Sequence, residues 1–421
     1  MTLFKDPGYN FNGLLALGAS GAGAAEVGEV LTAVNAINGA GLSAQTYVET
    51  FRKLGDQLLG PPPGSPADAQ TKRFRALRAA QYYGQALFFV LGSKDPGSEE
   101  QLYKAGRDAW DAFCDLCEPA PVKAAVPYGT TPLPVWFFRP DTSNTPRPTV
   151  ILTNGSDGQN VDMWTYGVPA ALERGWNALV YDGPGQGQLL FVDRVVFTPT
   201  WEKVVSPLVD WLSARPDVDQ DRIALTGLSM AGDLAPRAAA FESRIAALVA
   251  MPGCVEPWLG FPPEIREILT PSKEETNDIW NTKVVPELPP EAAAVLKKRF
   301  EPFSIPAMLQ ARQGKLFTDF YTRHPYPGTL DRLRRQPDQG AHPRPGLRGR
   351  AVLPRPAAPV VRRAHLAQGL PEADRGPGRP APLLPHGPAA ALRGRLRLAP
   401  GDPAGRRLMN RVRPRRSAAS R

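Results

Sequence analysis

The chain has 421 residues and a formal net charge of +9, long enough for two or three domains and basic enough, on average, to raise nucleic acid or an anionic membrane as partners. That average conceals a division: residues 331–421 hold 21 Arg, no Lys and five acidic residues, a net +16, which leaves −7 on residues 1–330. The same 91 residues contain no Phe, Tyr, Trp, Ile, Thr or Cys, and Arg, Pro, Gly and Ala supply 61 of them, a composition that excludes a core able to offset the entropy of ordering the chain.

Along the acidic body, apolar residues recur at helical spacing from Ala24 to about Leu59 and from Ala67 to about Cys117, separated by the Pro-rich Gly60 to Pro66. Residues 1–121 therefore read as a helical N-terminal cap module. From Val122 short β-rich runs take over: Val135 to Phe138, Thr149 to Thr153, Ala178 to Tyr181, Ile223 to Thr226 and Ala246 to Ala250. Helix-period stretches near Val161 to Arg174, Thr200 to Ala214 and Ala231 to Phe241 lie between them. Apolar strands alternating with helices predict an α/β core over 122–255, a mostly parallel sheet covered on both faces. Residues 256–328 lose the strand signal and read as a helical insertion or lid, and 329–421 as a tail without fold. Three cysteines (Cys114, Cys117, Cys254) make no disulfide framework, and the lone C-x-x-C at Cys114 and Cys117 is short of zinc ligands. No metal is expected. The N-terminus lacks a basic region followed by an apolar run, and the longest apolar runs, such as Ala86 to Gly92, fall far short of the roughly 20 residues that span a bilayer. A cytoplasmic location without membrane association is the expectation.

The most informative stretch is Ile223 to Phe241, a short apolar strand running directly into a helix. Within it Gly227, Leu228, Ser229, Met230 and Ala231 nearly match G-x-S-x-G, in which a serine on a tight strand-to-helix turn projects its hydroxyl and needs small residues two positions to either side. Ser229 is thus the candidate nucleophile, and the helix start offers the backbone amide of Met230 to an oxyanion. A helix-capping serine in an ordinary βα unit is the competing reading. After the strand Thr149 to Thr153 comes Asn154-Gly155-Ser156-Asp157-Gly158, a Gly-bearing loop that can add a second amide, from Ser156 first and Asp157 second. The run Asp182 to Gly187 has the spacing G-x-G-x-G with Pro184 inside it. It does not fit a dinucleotide fingerprint and reads as a structural turn near the pocket. Phe137, Trp164, Trp258 and Trp280 are candidates for apolar lining.

The runs TNGSDGQNVDMW, ALERGWNALVYDGPGQGQ and WEKVVSPLVDWLSARPDVDQDRIALTGLSMAGDLAPRAAAFESRIAALVA, in this order, resemble the bacterial α/β-hydrolases related to 2,6-dihydropseudooxynicotine hydrolase and to acyl-peptidase-like esterases. The resemblance spans about Ala67 to Pro327. It implies an α/β-hydrolase fold with a helical N-terminal cap and a serine nucleophile. The activity it implies is hydrolysis of an ester, amide or activated C–C bond in a small-molecule carbonyl substrate, without a cofactor; a homo-oligomer is left open.

A serine hydrolase also needs an acid and a histidine, following the serine in that order. Residues 1–330 contain a single histidine, His324. His324 as base and Glu256 as acid are the substitutes available in the body. The family's own acid and histidine would follow the last strands, where the chain turns Arg/Pro-rich. Shifting the reading frame by one base there admits an apolar strand ending in an acid between Ala341 and His365, with the acid codon straddling Gly346 and Leu347. It also admits a histidine straddling Pro382 and Leu383 and an amphipathic helix from Leu392 to Pro403. The expectation is a fold truncated at its last strands by a frame change near Gly328 to Leu330, and a chain inactive as written. The alternative is a non-catalytic protein of the same fold whose basic tail binds anionic partners; lacking aromatic residues, such a tail supplies only phosphate contacts.

Overall fold

The computed structural model describes residues 2–60, 67–253 and 273–315, all within one compact unit, Met1–Pro385. Five helices come first: α1 (Pro7–Gly18), α2 (Val27–Ala40), α3 (Ala44–Leu59), α4 (Ala69–Phe89) and α5 (Glu99–Asp115). The starts of α1, α3 and α4 are fixed by short polar side chains. Asp6 accepts from the Gly8 and Tyr9 amides, Ser43 and Thr46 form a reciprocal capping box, and Asp68 accepts from Thr71. α4 is the spine of this layer, with most residues from Ala76 to Phe89 buried. Its Phe89 stacks on Tyr9 at 4.2 Å and meets Tyr47 edge-on at 4.7 Å.

Six strands follow: β1 (Val122–Val126), β2 (Leu133–Phe138), β3 (Arg147–Thr153), β4 (Asn177–Tyr181), β5 (Val218–Leu228) and β6 (Ile245–Met251). They form one mixed sheet in the order β1-β2-β4-β3-β5-β6, in which β2 runs antiparallel to both neighbours and β4, β3, β5 and β6 are mutually parallel. Parallel neighbours need crossovers. These are α6 (Asn160–Tyr166) with α7 (Val168–Glu173), then α8 (Gly187–Phe191) with α9 (Glu202–Ser213), and finally α10 (Ala231–Phe241). The two-residue period of the strands sorts side chains into two cores. Trp136, Phe138, Val150, Leu152, Ala178 and Val180 face the N-terminal helices, while Val135, Phe137, Ile151, Leu179, Tyr181 and Leu225 face α9 and α10.

The strands expected from sequence are present, with β1 added ahead of them. The single helix expected over Val161 to Arg174 is two, broken at Gly167, where a Cβ would approach Leu152 Cδ2 to 2.6 Å. Phe137 is core rather than pocket lining: it is fully buried and meets Trp211 edge-on at 5.6 Å. Trp164 ties the sheet side to the N-terminal helices, donating to the Ala22 carbonyl at 2.9 Å and packing on Phe113 at 4.7 Å. Residues 273–315 supply α11 (Lys273–Ile279), α12 (Pro290–Phe300) and α13 (Ile305–Arg312), with Trp280 buried against Phe300. No helix among the described residues is long and apolar enough to cross a membrane. Cys254, Glu256, Trp258, His324 and the segment 329–421 lie outside the described residues.

Candidate active site

The carboxyl ends of β3, β4 and β5 each release a glycine-bearing loop, and the three loops meet. At the end of β5, Ser229 adopts φ +57°, a left-handed conformation that an L side chain rarely accepts. Its amide donates to the Met251 carbonyl at 2.7 Å, and its own carbonyl accepts from Gly232 at 2.8 Å, which starts α10. Gly227 permits the reversal because a Cβ there would collide with the Ala231 carbonyl. Ala231, in place of a second glycine, is fully buried without obstructing the turn. Ser229 itself is half-buried. The Met230 amide, at the start of α10, has no hydrogen-bond acceptor among the described residues.

The loop after β3 lies against this turn. A Cβ on Gly155 would stand 2.8 Å from Ser229 Cβ and 3.3 Å from Ser229 Oγ, so only glycine lets the two backbones come this close. The loop after β4 then fixes the orientation of the β3 loop. Gln186, 3% exposed, donates through Nε2 to the Asn154 carbonyl at 2.6 Å and to the Gly155 carbonyl at 3.3 Å, while its Oε1 accepts from Gly183 N at 3.0 Å. In a trans peptide the N–H opposes the C=O. Drawing the Gly155 carbonyl toward Gln186 therefore turns the Ser156 amide away from it. Gln186 is hidden in the sequence within a run that reads as a turn; its signal is an amide side chain between glycines directly after a strand.

Beneath these loops, Trp201 Nε1 donates to Tyr181 Oη at 3.2 Å, and Tyr181 Oη donates to Thr153 Oγ1 at 3.0 Å, holding the ends of β3 and β4 together. Asp182 is buried, its carboxylate accepting from Gln188 N at 3.0 Å and facing Arg107 Nη1 at 3.3 Å. Burial raises its pKa in spite of Arg107. Arg107 also pairs with Asp111 at 2.8 Å and lies over the Trp136 ring at 4.3 Å, so α5 is joined to the β4 loop. Asp162, which accepts from Gln159 N at 2.7 Å, has its pKa raised to about 6 by burial, with the charge of Asp157 adding to it. Asp157 pairs through its side chain with Arg299 of α12 at 3.4 Å.

Thus the structure brings Ser229, Met230, Ser156 and Asp157 into one neighbourhood; Glu256 and His324 lie outside the described residues, among which there is no histidine. Among the described residues no group of three or more His, Cys, Asp or Glu could hold a metal ion. Cys114 and Cys117 are free, with burial pushing both thiols up. A cavity of about 20 Å³ between α4, α5 and α6, bordered by Tyr83, Tyr103 and Trp110, holds at most one water and is not lined by Ser229.

No family model matches the chain. It is 30% identical over 268 residues to the alpha/beta hydrolase psoB of Aspergillus fumigatus, an alignment covering 60% of this chain and 59% of that protein. It is 29% identical over 266 residues to Hydrolase LUC6 of a Fusarium species, covering 60% of this chain and 62% of that one. The chain is thus similar to proteins named as hydrolases of the α/β type. To 20-hydroxy-prefusarin hydrolase FUS2 of Gibberella moniliformis it is 28% identical over 261 residues, covering 60% of this chain and 62% of that protein. It spans about three fifths of the length of these curated relatives. A solved structure of 2,6-dihydroxy-pseudo-oxynicotine hydrolase superposes with a TM-score of 0.48 at 20% identity, covering 67% of this chain and 77% of that one.

Proposed function

We propose that the protein is a serine hydrolase in which Ser229 Oγ attacks the carbonyl carbon of a small-molecule ester, amide or activated C–C substrate. An acyl-enzyme forms, the leaving group departs with the proton removed from Oγ, and water then hydrolyses the acyl-enzyme. The Met230 amide and the Ser156 amide turned outward by Gln186 stabilise the negative oxygen of each tetrahedral intermediate. The observation that carries this reading is the left-handed Ser229 with the Gly155 backbone pressed against it. A serine that merely capped a helix needs neither feature. The hydrolase names of its relatives support the reaction class.

The base and its orienting acid belong, in this reading, to the alternative frame of the segment after residue 328, and the chain as written turns over little or nothing. The experiment compares p-nitrophenyl ester hydrolysis by the chain as written, by a frame-restored chain and by its Ser229→Ala variant. Turnover is expected in the restored chain alone, falling by at least about 10³-fold in Ser229→Ala. Undiminished turnover in Ser229→Ala overturns the nucleophile. A gene with one continuous frame and no better-coding alternative overturns the frame change. It would favour the non-catalytic protein with a basic tail.

A further inference from the structure

Residues 273–315 reach the candidate site through one short run, Lys298 to Phe303, whose footing is on the N-terminal helices. Lys298 Nζ donates to the Glu99 carboxylate of α5 at 3.0 Å, and both groups are buried. Arg312 of α13 donates to the same carboxylate at 2.8 Å. One turn earlier on α12, Ala294 lies so close to the turn after α4 that a Cβ on Gly92 would collide with it. Shifting the run therefore means breaking a buried ion pair or opening a close-packed contact, and both are costly.

From that footing the run touches two of the segments that build the site. Arg299 Nε lies 3.4 Å from Asp157 Oδ2 on the loop after β3. Three residues on, the Pro302 carbonyl accepts from the Phe197 amide at 2.8 Å, and the neighbouring Phe303 ring packs on the Phe197 ring at 5.0 Å. Phe197 in turn presses on the loop after β4, where a Cβ on Gly185 would stand 2.6 Å from its ring. The next residue of that loop is Gln186, which holds the Asn154 and Gly155 carbonyls. One run of the insertion thus meets the β3 loop directly and, through Phe197, the residue that orients it.

The β3 loop needs an outside hold at one place. Gly155 N donates to Asn154 Oδ1 at 2.7 Å and Gln159 N to Asp162 Oδ2 at 2.7 Å, so both ends of the loop are bonded locally. Between them the Ser156 and Asp157 amides have no acceptor among the described residues. Two adjacent free donors serve an oxyanion only when something other than their own hydrogen bonds keeps their backbone in place. We propose that Arg299 and Phe303 are positioning residues that clamp this step, Arg299 through Asp157 and Phe303 through Phe197 and Gln186, so that the insertion completes the oxyanion site. The clamp rests on the reading of Ser156 as an oxyanion donor, but the hold itself is a mechanical property that exists with or without turnover.

Amide hydrogen exchange of the full chain tests the hold, in peptides covering 152–162, 183–197 and, as reference, 177–181. The hydrogen-bonded Gly155 and Gln159 amides report for the first of these. Arg299→Gln is expected to speed exchange in 152–162 about two- to fivefold, the effect of losing a partly exposed ion pair, and to leave 177–181 unchanged. Asp157→Asn is expected to do the same, the double variant no more than either, and Arg299→Lys to restore protection. Phe303→Ala is expected to speed exchange in 183–197 at least about tenfold, and Phe303→Leu, which keeps apolar volume and spares the fold, by less. Turnover by the frame-restored chain adds a readout that packing alone does not move: Arg299→Gln is expected to lower kcat about two- to fivefold with KM unchanged. Exchange in 152–162 that is indifferent to Arg299→Gln, loosening that extends equally to 177–181, additive losses in the double variant, or an unaltered kcat overturns the clamp. Turnover that survives Ser229→Ala overturns the hydrolase reading instead and leaves the exchange result standing.

Discussion

Ser229 holds a backbone conformation that costs an L side chain about 1–2 kcal/mol, and it does so at the one turn where Gly227 and Gly155 clear space on both sides. Strain of this kind can be separated from chemistry. Ser229→Gly is expected to raise stability by about 0.5–1 kcal/mol, since relief of the left-handed penalty exceeds the added chain entropy of glycine. Urea denaturation checks this, and a loss of stability would show that the serine side chain is held by contacts beyond the turn. The spacing of small residues around Ser229 made this residue legible, because the requirement is local and steric. Gln186 was not legible, since its partners, Asn154 and Gly155, are 32 and 31 positions away and only the folded sheet brings them together.

At the scale of elements, the most readable strands are those buried on both faces, β3 and β4. β4 has every residue buried and β3 most of them, so both appear as continuous apolar runs. β1 alternates half-buried and exposed positions along VKAAV, at an edge, and carries too little β-propensity to stand out. The break at Gly167 was hidden for another reason: the clash it avoids is with Leu152, a residue of a different element. β6 reads as an apolar strand, yet Leu248 and Val249 are 41% and 47% exposed, and among the described residues no strand pairs with its outer side. An uncharged, open strand edge templates association. The full chain is therefore expected to self-associate with rising concentration, and Val249→Lys to suppress this without altering far-ultraviolet circular dichroism. Light scattering measures it, and equal association by both proteins would place the sticky surface elsewhere.

For the whole molecule, the charge division separates two behaviours that a single net charge merges. The acidic residues 1–330 give no electrostatic reason to approach nucleic acid, whereas +16 on residues 331–421 does. Full-length protein is expected to bind duplex DNA without sequence preference and to lose affinity steeply with salt, and a chain ending at residue 330 to bind none. Fluorescence anisotropy across a salt series decides this. Binding retained by the shorter chain would mean that the body, not the basic segment, contacts phosphates.

The strand order holds one more consequence. From β3 the chain moves outward to β4 on one side, then crosses back to β5 on the other. At such a reversal neighbouring loops leave the sheet in opposite directions, and a crevice opens between them at the carboxyl ends of the strands. Of the walls of that crevice, residues 154–159 belong to neither apolar core, whereas Leu228, Met230 and Ala231 around the turn at Ser229 pack into them. A substitution within 154–159 is therefore expected to reshape the crevice with less disturbance of the sheet than one at the turn around Ser229.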